Sequence, residues 1–278
     1  SHKRAKIRKF IPLMNNQENR IITLTTDFGL CDWFVGTMKG VILSIAPQTT
    51  IVDITHNIPQ GDIKAAAFSI LSSFRYFPEN AIHVVVVDPG VGSKRKAIVV
   101  KTKRYWFVAP NNGVLSYALN TDEIVDIRHI ENDKLTLKRT GNTFHGRDVF
   151  APTSAYIAMG IEPKQIGKKL KNLVKINLPT PEISENKIVG EILYIDHFGN
   201  AITNIPFKKE SDFLGCTVIA GNRMIGTVHN FYAAVDKGAS LGIPGSTGFI
   251  ELAVRDGDIS KKYNLKIGTK VELLKTNR

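Results

Sequence analysis

The sequence predicts a two-part protein: an N-terminal α/β sandwich with a largely parallel sheet, plus a smaller C-terminal β-barrel domain. Three observations point there. Residues 20 to 160 alternate strand-like and helix-like segments, the order that builds a sheet with helices on its faces. Residues 162 to 186 are polar and lysine-rich and contain Pro179 and Pro181, the composition of a linker. Beyond them the pattern changes to short strands separated by Gly, Asn and Asp turns. The expected divisions are a disordered basic tail over 1–19, an α/β domain over 20–161, a linker over 162–186 and a barrel over 187–278.

In order along the chain, Ile21 to Thr26 reads as a buried strand. Asp32 to Ala46 reads as a helix stopped by Pro47, and Thr50 to Ile54 as a β-branched strand. Asp62 is placed to cap a helix running to about Tyr76, with Pro78 just beyond. Ile82 to Val87 is almost wholly apolar, as a strand covered on both faces should be. Ala97 to Val100 and Tyr105 to Val108 are further strands. Val149 to Met159 reads as a helix ending at Gly160. In the second part, strands are expected over Ile188 to Ile195, Ala201 to Ile205, Thr217 to Ala220, Phe249 to Val254 and Lys270 to Leu274.

The chain has 278 residues, 43% hydrophobic and 22% charged, which excludes a disordered or fibrous class. No apolar run approaches the ~18 residues of a membrane span, and the basic start is not followed by the apolar stretch of a secretory leader. Cys31 and Cys216 offer neither a disulfide framework nor metal-ligand spacing, so the expected setting is a reducing cytoplasm. Net charge is +12, with six basic residues and one acid, Glu18, in the first 20 residues. A second cluster holds Lys164, Lys168, Lys169, Lys171 and Lys175. Such charge attracts nucleic acid, but no RNA-binding or zinc-finger signature accompanies it, and a solvated face is the expectation.

Three motifs carry chemistry. Thr25-Thr26-Asp27-Phe28-Gly29 ends the first strand, where ligands of parallel α/β sheets bind. Asp27 reads equally as a group that accepts both hydroxyls of a ribose and as a cap of the following helix. The Asp-Phe-Gly triplet lacks the other kinase motifs. Val87-Asp88-Pro89-Gly90-Val91-Gly92-Ser93-Lys94-Arg95 forms a tight turn able to bring Asp88 and Arg95 together. It lacks the full phosphate-loop spacing, and Arg95 alone reads as half of a surface ion pair worth ~0–1 kcal/mol. Phe144-His145-Gly146-Arg147-Asp148 opens a helix, so His145 sits where free N–H groups favour a polar ligand, while Asp148 reads as a structural residue of the helix start. Asp53 and His56 have no third ligand and read as a hydrogen-bonded turn rather than a metal pair. In the C-terminal part, Phe198 and Asn200 sit on one loop and Ser246 on another. They read either as base-stacking and pairing groups or as ordinary β-turns.

Together the segments TLTTDFG, VVDPGVGSKRKA, APNNG, TFHGRD, YIDHFGN and GSTGFIELAV resemble the S-adenosylmethionine hydroxide adenosyltransferases, relatives of the SAM-dependent fluorinase and chlorinase. The resemblance runs from about residue 20 to the C-terminus. It implies an N-terminal α/β domain, a C-terminal barrel and a homotrimer with sites between subunits. It implies that Asp88, Arg95 and His145 handle the water, that Asp27 holds the ribose, and that Phe198 and Asn200 hold adenine. Ser246 would meet the methionine part, with Glu251 and Val254 near the ligand. S-adenosylmethionine would be the substrate, with no cofactor and no metal.

The reaction so implied is S-adenosylmethionine plus water giving adenosine and methionine. The leaving group is a neutral thioether and needs no general acid. Water is the difficulty, because its pKa of about 15.7 leaves almost no hydroxide near neutrality. Positioning and charge stabilisation are therefore expected to outweigh base strength. The alternatives are a halogenase of the same family, a non-catalytic adenosine- or SAM-binding protein, and a basic RNA-binding protein. Against a halogenase, the resemblance implies an uncharged side chain at the halogenases' equivalent of Asp88. A carboxylate ~4 Å from an incoming halide costs roughly 4 kcal/mol at an effective dielectric of 20.

Overall fold

A computed structural model of the chain describes residues 20–138 and 141–275. The tail expected to be disordered lies outside the described residues. The chain divides between Asn177 and Leu178 into two compact units.

The first unit is built on a six-stranded sheet in the order β2-β1-β3-β5-β4-β6. Its strands are β1 (Ile21–Thr26), β2 (Thr50–Thr55), β3 (Ile82–Val86), β4 (Ala97–Thr102), β5 (Trp106–Pro110) and β6 (Ile124–His129). β1 runs parallel to β2 and β3, and β3 to β5. Each of the first two crossovers carries a helix, α1 (Phe34–Ile45) and α2 (Ile63–Ser73). β4 runs antiparallel to both β5 and β6. Only three residues separate β4 from β5, too few for the crossover a parallel pair needs, so the two close as a hairpin.

The buried strands β1 and β3 owe their covered faces to opposite sets of side chains. Ile22, Leu24, Val84 and Val86 pack with Met38 and Ile42 of α1 and with Phe150 and Ile157. On the other face His83, wholly buried, lies among Phe74, Phe77, Tyr105 and Phe107, its Nδ1 2.8 Å from Thr23 Oγ1.

Asp62 accepts from Ala65 N at 2.9 Å and caps α2, as its position predicts. α2 stops at Ser73 and tightens into a 3₁₀ turn over Phe74–Tyr76, shorter than the expected helix. α1 begins at Phe34 rather than Asp32. After a short α3 (Ser116–Leu119), the strand β6 was not anticipated: its first two residues are exposed and the other four only partly covered, so it lacks a clear apolar alternation. The helix expected from Val149 starts earlier, as a π-turn over Gly146–Phe150 that leads into α4 (Ala151–Ala158), with Pro152 in the tolerated first turn.

Residues 162–177 carry α5 (Pro163–Ile166), held by a capping box between Glu162 and Gln165. They are pinned to the first unit by Val174 N donating to Asn111 Oδ1 and Ile176 N to Ser116 Oγ. Gly113, at φ +97°, lies where a Cβ would stand 2.8 Å from the Ile176 side chain, so this close approach requires glycine.

The second unit is a nearly closed antiparallel barrel in the order β11-β10-β14-β8-β9-β13-β12, with β7 (Glu182–Ile183) paired to β8. Its strands are β8 (Lys187–Ile195), β9 (Ala201–Pro206), β10 (Thr217–Ala220), β11 (Arg223–Thr227), β12 (Ser240–Pro244), β13 (Phe249–Val254) and β14 (Lys270–Leu274). A bridge between Val228 and Gly242 draws the two ends of the sheet together. Ile192, Ile205, Val218, Leu252 and Val271 fill the interior, and α6 (Ile259–Tyr263) adds Ile259. Among the described residues, no helix is long and apolar enough to cross a membrane.

Candidate active site

The site of the first unit forms at the carboxyl ends of β1 and β3, where the sheet presents loops instead of side-chain layers. After β1 the chain turns through Asp27 to Gly29, with Gly29 at φ +66°. Asp27 Oδ2 accepts from Gly61 N at 2.8 Å. The helix-cap reading of Asp27 is therefore not realised: α1 starts behind Trp33 with no side-chain cap.

After β3, Asn112 of the APNNG segment donates from Nδ2 to Val87 O at 2.9 Å. The chain then folds tightly. Ser93 N donates to Gly90 O at 3.0 Å, and Arg95 N donates to Ser93 Oγ at 3.2 Å. This turn brings Arg95 back onto Asp88. Arg95 Nε donates to Oδ1 and Oδ2 at 3.0 and 2.8 Å, and Nη2 also bonds Oδ2. Their side chains are only 10% and 5% exposed, so the surface ion pair expected for Arg95 is a buried one instead. Breaking such a pair by removing one partner is costly, because it strands a buried charge.

The same Nη2 lies 2.6 Å from His145 Nδ1, and the guanidinium stands 5.5 Å from the centre of the Phe150 ring. His145 is 7% exposed. The π-turn places His145 and Phe150 on the same cation. Asp148, buried, is held by two bonds from Arg147, at 2.6 and 3.0 Å, and does not cap the turn. The Arg147 guanidinium is raised above its ordinary range by this bond.

Asp27, Asp88 and His145 line one cavity of about 700 Å³ together with Phe28, Phe34 and Phe144. The three rings meet edge-on or tilted, with centroids 5.1 to 5.9 Å apart. The chamber therefore has apolar aromatic walls, the Asp27 carboxylate at the β1 end, and elsewhere on its wall the Asp88 carboxylate and the His145 imidazole, which Arg95 links. Sequence reading missed Phe28, Phe34 and Phe144 as lining groups, although two of them flank the quoted motif residues.

In the second unit Phe198 is 74% exposed on its loop. Asn200 is buried and donates from Nδ2 to Asp196 Oδ2 at 3.1 Å, while Asp196 Oδ1 accepts from the Phe198 and Asn200 amides. Glu251 is 7% exposed and accepts from Tyr232 Oη at 2.5 Å. Burial pushes its carboxyl above the usual range, nearby Asp196 adds to this, and the Tyr232 hydroxyl counteracts it. Ser246 is exposed on the neighbouring loop, and a Cβ on Gly245 would stand 3.0 Å from Glu251 Oε2. Val254 packs into the barrel interior. Asp196 and Tyr232 were not anticipated as partners in this cluster. Among the described residues, no group of three His, Cys, Asp or Glu side chains is arranged to hold a metal ion.

The SAM hydroxide adenosyltransferase N-terminal domain matches residues 22–167, and the corresponding C-terminal domain matches residues 190–272. An (R)-S-adenosyl-L-methionine hydrolase of Thermus thermophilus is 34% identical over 264 residues, covering 92% of this chain and all of that protein. A fluorinase of Nocardia brasiliensis is 26% identical over 296 residues, covering 93% of this chain and 98% of the fluorinase. A crystal structure of an uncharacterized conserved protein from Thermotoga maritima superposes with a TM-score of 0.86 at 37% identity, over 91% of this chain and all of the other. The chain belongs to the SAM hydroxide adenosyltransferase family.

Proposed function

We propose that this enzyme hydrolyses S-adenosylmethionine to adenosine and methionine, with water attacking the 5′ carbon. The observation that carries the reading is the Asp88–Arg95–His145 chain, whose two ends, Asp88 and His145, line a cavity that also holds Asp27. In this reading Asp27 holds the ribose hydroxyls. Phe198 and Asn200 hold adenine, Ser246 meets the methionine part, and Glu251 and Val254 lie near the ligand. S-adenosylmethionine is the substrate and no cofactor takes part.

In this reading labour is divided within the triad. A guanidinium only donates, so His145 Nδ1, 2.6 Å from Arg95 Nη2, is the accepting nitrogen and the neutral ring carries its proton on Nε2. His145 thus orients the water oxygen by donation. Asp88 is the acceptor of the water proton, and Arg95 stabilises the developing hydroxide while fixing both neighbours. As the O–C5′ bond forms, the C5′–S bond breaks and its electron pair leaves on methionine sulfur. Attack of an anion on a sulfonium disperses opposite charges, which dry aromatic walls favour.

Incubation with S-adenosylmethionine in concentrated chloride or fluoride separates this reading from a halogenase, favoured only by the more distant fluorinase likeness. Adenosine and methionine should appear in equal amounts. A 5′-halogenated nucleoside as the main product would overturn the assignment of water as nucleophile.

The ligand groups lie on both units, and the assembly proposed here is a cytoplasmic homotrimer whose sites each draw on neighbouring subunits. Light scattering of the active enzyme should give three times the 30.8 kDa chain mass. Full activity in a monomeric fraction would exclude this. Nucleic acid and membranes have no part in the reading.

A further inference from the structure

A second polar chain, separate from the water-handling one, ends on the turn that carries Asp27. Lys39 of α1 donates from Nζ to Asp53 Oδ2 at 2.6 Å. Asp53 Oδ1 lies 3.1 Å from His56 Nε2. His56 Nδ1 lies 2.8 Å from Thr26 Oγ1, and Thr26 Oγ1 accepts from Phe28 N at 3.2 Å. His56 touches the turn a second time, because Gly29 N donates to its carbonyl at 2.8 Å.

The burial gradient is informative. Lys39 and Asp53 are about one-third exposed, whereas His56 is 3% exposed and Thr26 wholly buried. The Lys39 ammonium and His56 hold the Asp53 carboxyl below its ordinary range against the opposing effect of burial. An ionised Asp53 carboxylate 3.1 Å from Nε2 favours the tautomer that carries the His56 proton there. Nδ1 is then an acceptor, Thr26 must donate its hydroxyl proton to it, and the hydroxyl oxygen is left to receive Phe28 N. Reversing the His56–Thr26 link would leave the buried Thr26 oxygen facing two donors, with no proton to give to Nδ1.

We infer that His56 is a positioning residue: through Thr26 and its own carbonyl it sets the Asp27–Gly29 turn in the geometry that receives the ribose. The inference rests on the assignment of Asp27 to the ribose. His56 touches neither substrate nor reacting atoms, so its effect falls on affinity. Of its two side-chain links, the one to Thr26 carries the positioning.

Three variants separate the links. His56→Asn keeps an acceptor near the place of Nδ1 and gives up the Asp53 contact. His56→Gln keeps a donor near the place of Nε2 and gives up Thr26. Thr26→Val removes the hydroxyl at nearly constant shape. Two readouts are taken on the full chain: hydrogen exchange of the peptide spanning residues 27–30 without ligand, and KM for S-adenosylmethionine with Kd for adenosine. In His56→Gln and Thr26→Val the peptide should exchange faster, with KM and Kd up about tenfold, the worth of one hydrogen bond, and kcat little changed. His56→Asn should stay near wild type, and the Thr26→Val/His56→Gln double variant should be no worse than Thr26→Val alone. Unchanged exchange and KM in the Gln and Val variants would overturn the inference, as would equal damage from Asn and Gln. If exchange responds as expected but the wild type binds no adenosine, the ribose assignment fails while the positioning of the turn stands.

Discussion

Asp88→Asn should lower kcat by about 10²–10⁴-fold while adenosine binding stays within a few-fold of wild type. The substitution keeps the shape of the side chain and an accepting oxygen but removes the charge and basicity of the carboxylate proposed to take the water proton. Arg95 donates, and His145 presents an N–H. His145→Ala should fall in the same range, because the water then loses its donor and Arg95 loses a neighbour that fixes its fork. Asp27→Ala should show the reverse balance, with affinity falling first. Calorimetry with adenosine, paired with product quantification, reads both quantities. Weakened binding with near-normal kcat in Asp88→Asn would contradict the assignment of this carboxylate to the water.

Acid should destabilise the first unit through His83. Burial pushes this histidine down to about 3 from an ordinary value of 6.5. Its Nε2 has no hydrogen-bond partner among the described residues, so nothing there compensates a charge. The unfolded chain takes up a proton on this residue below about pH 6.5, and the folded chain does so only near pH 3. Stability from this group is therefore complete above pH 6.5 and is lost as pH falls towards 3, at up to about 1.4 kcal/mol per pH unit. His83→Asn preserves a polar group facing Thr23 and removes the titration. Denaturant unfolding of both proteins from pH 7 to pH 4 should show the gap between them closing as pH falls. A constant gap would show that His83 does not drive the loss. Carboxylates titrate in both proteins and cancel in the comparison.

Local signals account for what the sequence made legible. The apolar runs of β1 and β3, the Asp62 cap and the five expected barrel strands each follow from residues within one element. The Asp88–Arg95 meeting was also readable, because two glycines and Pro89 within seven residues leave a tight turn as the natural path. What was missed depends on distant partners. β6 and β11 are only partly covered strands whose sequences, IVDIRH and RMIGT, show no clean alternation, and they form because a neighbour offers an edge. The burial of Arg95 is set by Phe150 and His145, 55 and 50 residues away, so no window around Arg95 could separate a surface pair from a buried one. Asp148 looked like a helix-start residue because an ordinary helix was assumed. A π-turn has no sequence signature and is selected by what it must reach.

That π-turn has a consequence for insertions and deletions. Ala151 N reaches back five residues to Gly146 O, so the segment holds one residue more than an α-helical path would. In helical phase that residue is worth about 100° of rotation. It works as an offset between two halves with different obligations: Ala151, Ala155 and Ile157 must face the core, and His145 must face Arg95. Removing any single residue from 146–150 would let the helix run on in regular form with its core register kept, and would swing the imidazole off the guanidinium. At this place segment length, more than residue identity, separates a chain that merely folds from one that also holds its imidazole against the guanidinium.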